Sequence, residues 1–421
     1  MTKANILIQD ELDVATSEME LAFPILEYKN RLNKIRKAMA EQNIDLLYIT
    51  NPENLYYVSG YSAAWYRGNP PIAWSESAAS GIAIHVDHDK FILFDVVDEL
   101  GITMWSTVST DSRIYHDSPH GKYLGKHFEA VADGMSFIDM IVRDLKNEGW
   151  TGGRTAIEMG SYRPVRLISE KLQATLEAAN CEVVDGTKIV RDVRFIKSPM
   201  ELRYIETASK IADIGMQAAL SVMKPGITEL DIVAEYTYAM HKAGGENMAI
   251  VGLVHAGPER VWCRHPNASR RLIMPGDPIE VDLSGVYYRY HSNLSRCFSI
   301  GEPDPKFAAT YAQSKKSMMK VKEIIKPNMY VNDFMSQMSA FYKEEGMEPP
   351  LWFGGYEVGI SYPPDWVGEF VYDTSTDHEG VQFAPGAVVN FETGFGINDT
   401  LIFTKDEAKI LGTTPWDLLI V

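Results

Sequence analysis

One stretch holds the densest set of side chains able to do chemistry, GLVHAGPERVWCRHPNASRRLIMPGDPIEVDLSGVYYRYHSNLSRCFSIG over 252–301. His255 and His265 come first, ahead of a Pro275-Gly276 turn. A strand carrying Glu280 and Asp282 follows, and a returning strand brings Arg289, His291, Asn293 and Arg296. Ser284-Gly285 reads as the tight turn between the two strands. Ile279, Val281 and Leu283 alternate, which predicts one buried face and places Asp282 on the other. A polar strand face with several titratable groups is either solvated or functional, and this one reads as functional. A second acid has the same context: Pro275-Gly276 precedes Asp282 by seven positions from the proline, and Pro385-Gly386 precedes Glu392 by the same interval. Two converging carboxylates with a nearby histidine can bind a metal or perform acid/base hydrolysis.

The elements that must position these groups are also legible. Ser198-Pro199-Met200-Glu201 is a capping box with proline at the first helical position, opening a long helix through ELRYIETASKIADIGMQAALSVM. That helix stops at Lys224-Pro225-Gly226. Thr228 caps a second helix that ends at Gly244-Gly245. About a hundred residues later a helix over YAQSKKSMMKVKEII stops at Lys326-Pro327-Asn328, and another runs to Glu345-Gly346. Two helix–helix–hairpin units, each delivering one acid, predict an internal pseudo-twofold with the acids facing across a cleft.

The first half reads as an α/β layer. Residues 27–43 place Leu32, Ile35 and Met39 on one helical face, and IDLLYIT follows as a strand. SGIAIHV and FILFDV form a hairpin; 129–148 and 163–180 read as helices, with TAIEMG and CEVVDG as strands. Gly152-Gly153 lacks the context of a phosphate loop. Trp65, Tyr66 and Arg67 share a loop with Pro70-Pro71 and are either packing anchors or the wall of a pocket.

A chain of 421 residues predicts two domains, placed at 1–192 and 193–421. Its net charge of −17 argues against a nucleic-acid partner and is compatible with small cationic or zwitterionic ligands. Cys181, Cys263 and Cys297 form no CxxC pair, so neither a zinc knuckle nor a disulfide framework is expected. The acidic N-terminal stretch lacks a long apolar run; no signal peptide and no membrane span are expected, and the cytoplasm is the expected compartment.

RDVRFIKSPMELRYIETA, HAGPERVWCRHP, PGDPIEVDLSG, YRYHSNLSR and PGAVVNFETG together resemble the creatinase/aminopeptidase P (pita-bread) family over nearly the whole chain. The resemblance implies an N-terminal creatinase-like α/β domain and a C-terminal pita-bread domain with an internal duplication. The family's metallopeptidases carry two Asp on the first hairpin, a His in a GHGxG segment and two Glu near the end. Asp282 and Glu392 match. Asn293, Tyr356 (in Gly355-Tyr356-Glu357-Val358-Gly359) and Asn398 stand where the other ligands would be. Asn is a poor ligand for a transition metal and neutral Tyr a worse one, so no metal and no other cofactor is expected.

The metal-free relatives include creatinase and ectoine hydrolase, which cleave a C–N bond in a small nitrogen-rich solute. RYHSNLSR and GYEVGISYPPDWVGE look like the ectoine hydrolase branch, whereas Ser295 stands where creatinase has a glutamate. By resemblance His265 is the acid/base, and Glu392 or Asp282 activates water or acts as nucleophile. Arg260 or Arg264 would hold a substrate carboxylate in a bidentate pair. His255 is a substrate contact or a hydrogen-bonded structural residue, and His291 is a substrate contact or a surface strand position. Tyr356 contacts substrate or fills the space of an absent metal, and Trp366 and Glu369 contact substrate or lie in a rigid loop. Arg194 and Lys197 are expected to be solvated or domain-bridging. The family also implies a homodimer, with Trp65, Tyr66 and Arg67 candidates to enter the partner's cleft. A metal-dependent Xaa-Pro dipeptidase and a non-catalytic binding protein are the alternatives.

Overall fold

A computed structural model describes residues 21–64, 66, 72–96, 99–109, 111–116, 129–130, 135–263, 265–347, 353–373 and 376–421. Trp65, Arg67 and Arg264 lie outside the described residues. The chain divides into two compact units, Met1–Arg194 and Phe195–Val421.

The first unit contains α1 (Ile25–Glu41), β1 (Leu46–Ile49), α2 (Pro52–Ser59), β2 (Gly81–His85), β3 (Phe91–Val96), α3 (Leu100–Trp105), β4 (Ser112–His116) and β5 (Glu129–Ala130). It continues with α4 (Phe137–Asn147), β6 (Arg154–Ile157), α5 (Arg166–Ala178), β7 (Glu182–Asp185) and α6 (Thr187–Phe195), which runs one residue past the division. The sheet order is β5-β4-β3-β2-β1-β6-β7. The β2–β3 hairpin is antiparallel as read, while β1–β6–β7 are parallel. Leu46, Tyr48, Ile92 and Phe94 pack on Ile138, Ile141 and Leu145 of α4 and on Leu172 and Leu176 of α5. The helix expected from 129 begins only at Phe137. Ser136 and Asp139 form a capping box there, and Glu129–Ala130 pairs with β4 instead.

The second unit opens with α7 (Pro199–Val222) and α8 (Glu229–Lys242), capped by Ser198 and Thr228 through reciprocal capping boxes. Then come β8 (Leu253–Ala256), β9 (Pro278–Tyr287), β10 (Tyr290–Ser299), α9 (Pro305–Ile324), α10 (Val331–Glu344), β11 (Gly354–Glu357) and β12 (Val371–Asp373). β13 (Val388–Thr393), β14 (Ile397–Phe403), β15 (Ala408–Ile410) and β16 (Leu419–Ile420) complete it. Among the described residues its sheet runs in the order β12-β11-β13-β14-β10-β9-β8, with β15 paired to β14 and β16 to β10. The duplication read from the sequence is therefore the architecture: β8-β9-β10 and β11-β13-β14 are equivalent halves, joined where β10 pairs antiparallel with β14. Thr228 bridges Leu272 in one half and Tyr330 bridges Gln382 in the other. Each half has its own core on the outer sheet face. Ile279, Val281 and Leu283 pack on Ile211, Met216 and Tyr236, whereas Val389, Phe391 and Leu401 pack on Met318, Val321 and Phe334. Among the described residues no helix is long and apolar enough to cross a membrane.

The first hairpin corrects the sequence reading. β9 runs straight through Ser284-Gly285, and the turn falls at Tyr288-Arg289, both with positive φ (+47° and +63°). The Arg289 side chain holds that uncommon backbone: its guanidinium donates to Asn247 O (2.8 Å) and Ser361 O (2.6 Å) and lies 4.7 Å from the Tyr362 ring centroid. Gly285 answers a packing need, not a turn. A Cβ there would stand 1.9 Å from the Ala208 carbonyl oxygen of α7.

Candidate active site

Side chains directly opposite one another across a ladder share a face. One row of the second sheet runs Leu253, Asp282, Ser295, Asn398, Glu392, Gly354. Asp282 and Glu392 thus occupy equivalent places on the two halves, with Ser295 and Asn398 between them where the halves meet. Neighbouring rows on the same face supply His255, Glu280 and Cys297 on one side and Ser284, Asn293, Asn390 and Tyr356 on the other. The alternate residues Val281, Leu283 and Phe391 point into the helix-covered cores.

The centre of this face is a hydrogen-bonded network. Asn293 Nδ2 donates to Asp282 Oδ1 (2.7 Å) and to Leu283 O (3.1 Å). Asn293 Oδ1 accepts from Asn398 Nδ2 (3.3 Å) and from the Tyr356 hydroxyl (3.5 Å). Asn398 Nδ2 and Asn390 Nδ2 both lie within reach of Glu392 Oε1, at 3.4 and 3.5 Å. The buried indole of Trp366 donates through Nε1 to the Tyr356 oxygen (3.2 Å). Tyr356 and Trp366, read as site-lining residues, are thus joined to the acids. Among the described residues, no group of three or more His, Cys, Asp or Glu side chains is placed to hold a metal ion.

Electrostatics follow from crowding acids in a partly closed face. Burial holds the Asp282 carboxyl well above the usual carboxylate range; Asn293 opposes this, and the charges of Glu280 and Glu392 add to it. The residue retains some solvent exposure, but its carboxyl stands among protein atoms, and burial remains the leading cause. Burial, then the neighbouring Glu392 and Asp282, raises the Tyr356 phenol far above its ordinary value, so it stays neutral.

The histidines divide. His265 is exposed, and among the described residues its ring has no hydrogen-bond partner. His255 is buried and donates through Nε2 to the Pro266 carbonyl (3.0 Å), beside His265; its Nδ1 lies 3.8 Å from Glu280 Oε2. The same Glu280 accepts from Ser295 Oγ at 3.3 Å. His291, expected to meet substrate or to lie at the surface, does neither. It is fully buried, its Nδ1 donates to Arg289 O (2.9 Å), and its Nε2 accepts from Ala249 N (3.1 Å). Burial, with the Arg289 charge second, lowers its pKa to about 3, so it is a neutral strut under the hairpin turn.

Several further expectations find other partners. Arg260 donates through Nε and Nη2 to the two oxygens of Glu229, at 3.1 and 2.9 Å, because a wholly buried carboxylate requires a compensating charge. Lys197, read as solvated or bridging, is buried and ion-paired with Glu357, behind the strand residue Tyr356. Arg194 donates to Asn54 Oδ1 at 2.5 Å. Glu369 is exposed. The Tyr66 hydroxyl folds back on its own loop, donating to Tyr61 O (3.1 Å) and accepting from Ala63 N (3.2 Å). Sequence reasoning left Glu280, Asn390 and Glu229 out of the site. The i, i+2 spacings Glu280–Asp282 and Asn390–Glu392 carried the first two; nothing local in the sequence marked Glu229.

Two helix–helix–hairpin halves around one sheet, each placing an acid at its central row, define the pita-bread class of hydrolase fold. The chain belongs to the creatinase/aminopeptidase P family. Residues 31–196 match the family model of the creatinase/prolidase N-terminal domain, and residues 203–410 match metallopeptidase family M24. It is 25% identical to an ectoine hydrolase of Halomonas elongata over 96% of this chain and 99% of that protein. It is 28% identical to a Xaa-Pro dipeptidase of Pyrococcus furiosus over 93% of this chain and all of that one. The fold is shared with an X-Pro aminopeptidase from Thermotoga maritima, at TM-score 0.70 and 19% identity over 93% of this chain and 99% of that one.

Proposed function

We propose that this protein is a metal-independent hydrolase that cleaves a C–N bond of a small nitrogen-rich solute, a cyclic amidine such as ectoine or a guanidino compound such as creatine. The observation that carries the reading is the Asn293 amide. It stands where a metallopeptidase would present a carboxylate, aims an N–H at Asp282 and accepts from Asn398. A ligand set whose members satisfy one another through amide N–H groups does not fit a divalent transition metal, which needs lone pairs. Two supports are independent of that point: the likeness to an ectoine hydrolase along almost the full chain, and an acid row, Asp282 to Glu392, that holds no Lys or Arg. Such a face favours a cationic amidinium.

In this mechanism Glu392 takes a proton from water, which adds to the amidinium carbon. Asp282, held by the Asn293 N–H, supports the cation. His265 gives a proton to the departing nitrogen as the C–N bond breaks, and its exposed ring is free to do so. The resemblance adds a cytoplasmic homodimer in which Trp65, Tyr66 and Arg67 reach the partner's cleft, testable by light scattering of the purified protein.

The Pyrococcus likeness favours a second reading, a metal-dependent Xaa-Pro dipeptidase. Metal content of purified, untagged protein separates the two: one or two equivalents of manganese, cobalt, zinc or iron per chain would sink the metal-free reading. With metal near zero, His265→Ala is expected to abolish ectoine or creatine turnover while leaving the circular dichroism spectrum and melting temperature at wild type.

A further inference from the structure

The two halves of the second unit act as each other's control, and they differ at the first residue of their second helices. Thr228 and Tyr330 are equivalent: each precedes a helix, and each forms an isolated bridge to the residue three positions before its Pro-Gly turn. The next residues, Glu229 and Val331, are therefore equivalent too. Val331 is packed into the apolar core of its half. The fold accepts a valine at this helix start, yet in the first half a carboxylate is buried there without solvent exposure. Burying a charge is costly unless it is paired and hydrogen-bonded, so the acid requires a reason beyond the helix.

That reason is the segment between β8 and Pro275, which carries His265. Glu229 Oε1 accepts from Ala256 N (2.8 Å) and Arg260 Nε (3.1 Å). Its Oε2 accepts from Arg260 Nη2 (2.9 Å), Ser269 N (2.7 Å) and Ser269 Oγ (2.7 Å). One carboxylate thus ties the beginning of the segment to a point beyond His265. Inside this staple Arg260 Nη2 also donates to Asn267 O (3.2 Å), and His255 donates to Pro266 O (3.0 Å). The backbone is pinned immediately after His265 while the His265 ring itself remains exposed and unpaired among the described residues. Clamped backbone with a free imidazole suits a group that acts on a solute.

We infer that Glu229 is a positioning residue: its buried carboxylate clamps the 256–269 segment so that His265 is presented in one place to the acid face. This rests on the proposed role of His265. Glu229 acts only through the segment it holds and touches no substrate.

The test uses the full-length chain with ectoine as probe. Glu229→Gln keeps the side chain's shape and loses its charge. Hydrogen–deuterium exchange is expected to rise over 257–269 and to stay unchanged in the α7–β9 core. kcat is expected to fall by about 10²-fold, the penalty of a small misplacement, with KM unchanged. In the His265→Ala background Glu229→Gln should raise exchange over 257–269 as it does alone, because the acid holds the backbone of the segment and not the imidazole. Ser269→Ala removes one donor and leaves the acid charged and paired; it carries the same measurements should Glu229→Gln not fold, with a smaller rise in exchange. Unchanged exchange over 257–269 or wild-type kcat in the folded variant would each overturn the inference. Failure of the reading beneath it looks different: His265→Ala would turn over like wild type while the exchange result stood.

Discussion

Asn293→Asp restores the residue type that a metallopeptidase would have at this position, and the surrounding atoms set its consequences. The new carboxylate oxygen takes the place of an N–H that lies 2.7 Å from Asp282 Oδ1. Two full charges at that distance repel by about 6 kcal/mol at an effective dielectric of about 20. Keeping one carboxyl protonated costs about 1.4 kcal/mol for each pH unit above its ordinary value near 4. The pair therefore shares a proton, as close carboxylates do, and titrates as a dyad. A carboxyl whose folded pKa is raised contributes its stability below the unfolded value and loses it as pH rises through the folded one. The variant should melt near wild type at pH 4–5 and fall progressively behind it, by about 4 kcal/mol between pH 5 and pH 8 if one extra proton is retained throughout. For a domain of this size that is about 8–16 °C of melting temperature. Manganese should restore much of the loss, because Asp282, Asp at 293 and Glu392 would then offer carboxylates to one ion, and an ion that binds only the folded state stabilises it. Differential scanning calorimetry across pH 5–8, with and without manganese, reads all of this. Equal melting of variant and wild type at pH 8 would refute the placement of the Asn293 amide. A manganese shift as large in wild type as in the variant would refute the claim that its ligand set is unsuited to metal.

Other consequences are more local. Lys197→Met leaves Glu357 buried without its partner and should destabilise the second unit by about 3–5 kcal/mol, measured by chemical denaturation; a change below about 1 kcal/mol would mean that water already screens the pair. His291 is neutral in the fold with a pKa of about 3, so the unfolded chain takes up its proton first as pH falls. Its contribution is intact above pH ~6.5 and is lost toward pH ~3 at up to about 1.4 kcal/mol per unit. His291→Gln should therefore melt less steeply with acid than wild type, and parallel curves would contradict the strut role.

The fold was legible where periodicity and punctuation agreed. Ser198 and Thr228 announced their helices because the acids that complete their capping boxes stand three residues later, and the repeated Pro-Gly turns announced the duplication because each half must restart its hairpin at the same place. Ser284-Gly285 misled for a physical reason. Glycine satisfies a tight turn and a close helix contact equally well, and only the position of α7 distinguishes them. The strand at Glu129–Ala130 was likewise set by its partner β4, which lies nearby in the fold and is invisible in local sequence.

The site was harder to read for a different reason. Asp282 and Glu392 could be found from spacing, but Asn293 and Asn398 could be read in sequence only as lost ligands. In the sheet they are a positive feature. An amide offers both a donor and an acceptor, so Asn293 can face Asp282 with its nitrogen and Asn398 with its oxygen, which a carboxylate in the same place could not do. The replacements therefore belong together. Tyr356 needs a neutral acceptor, Asn398 needs a partner for its N–H, and Asp282 needs a donor to remain beside two other acids. Reverting one of them leaves the other two mismatched, so a functional metal centre should require Asn293→Asp, Tyr356→His and Asn398→Glu in combination.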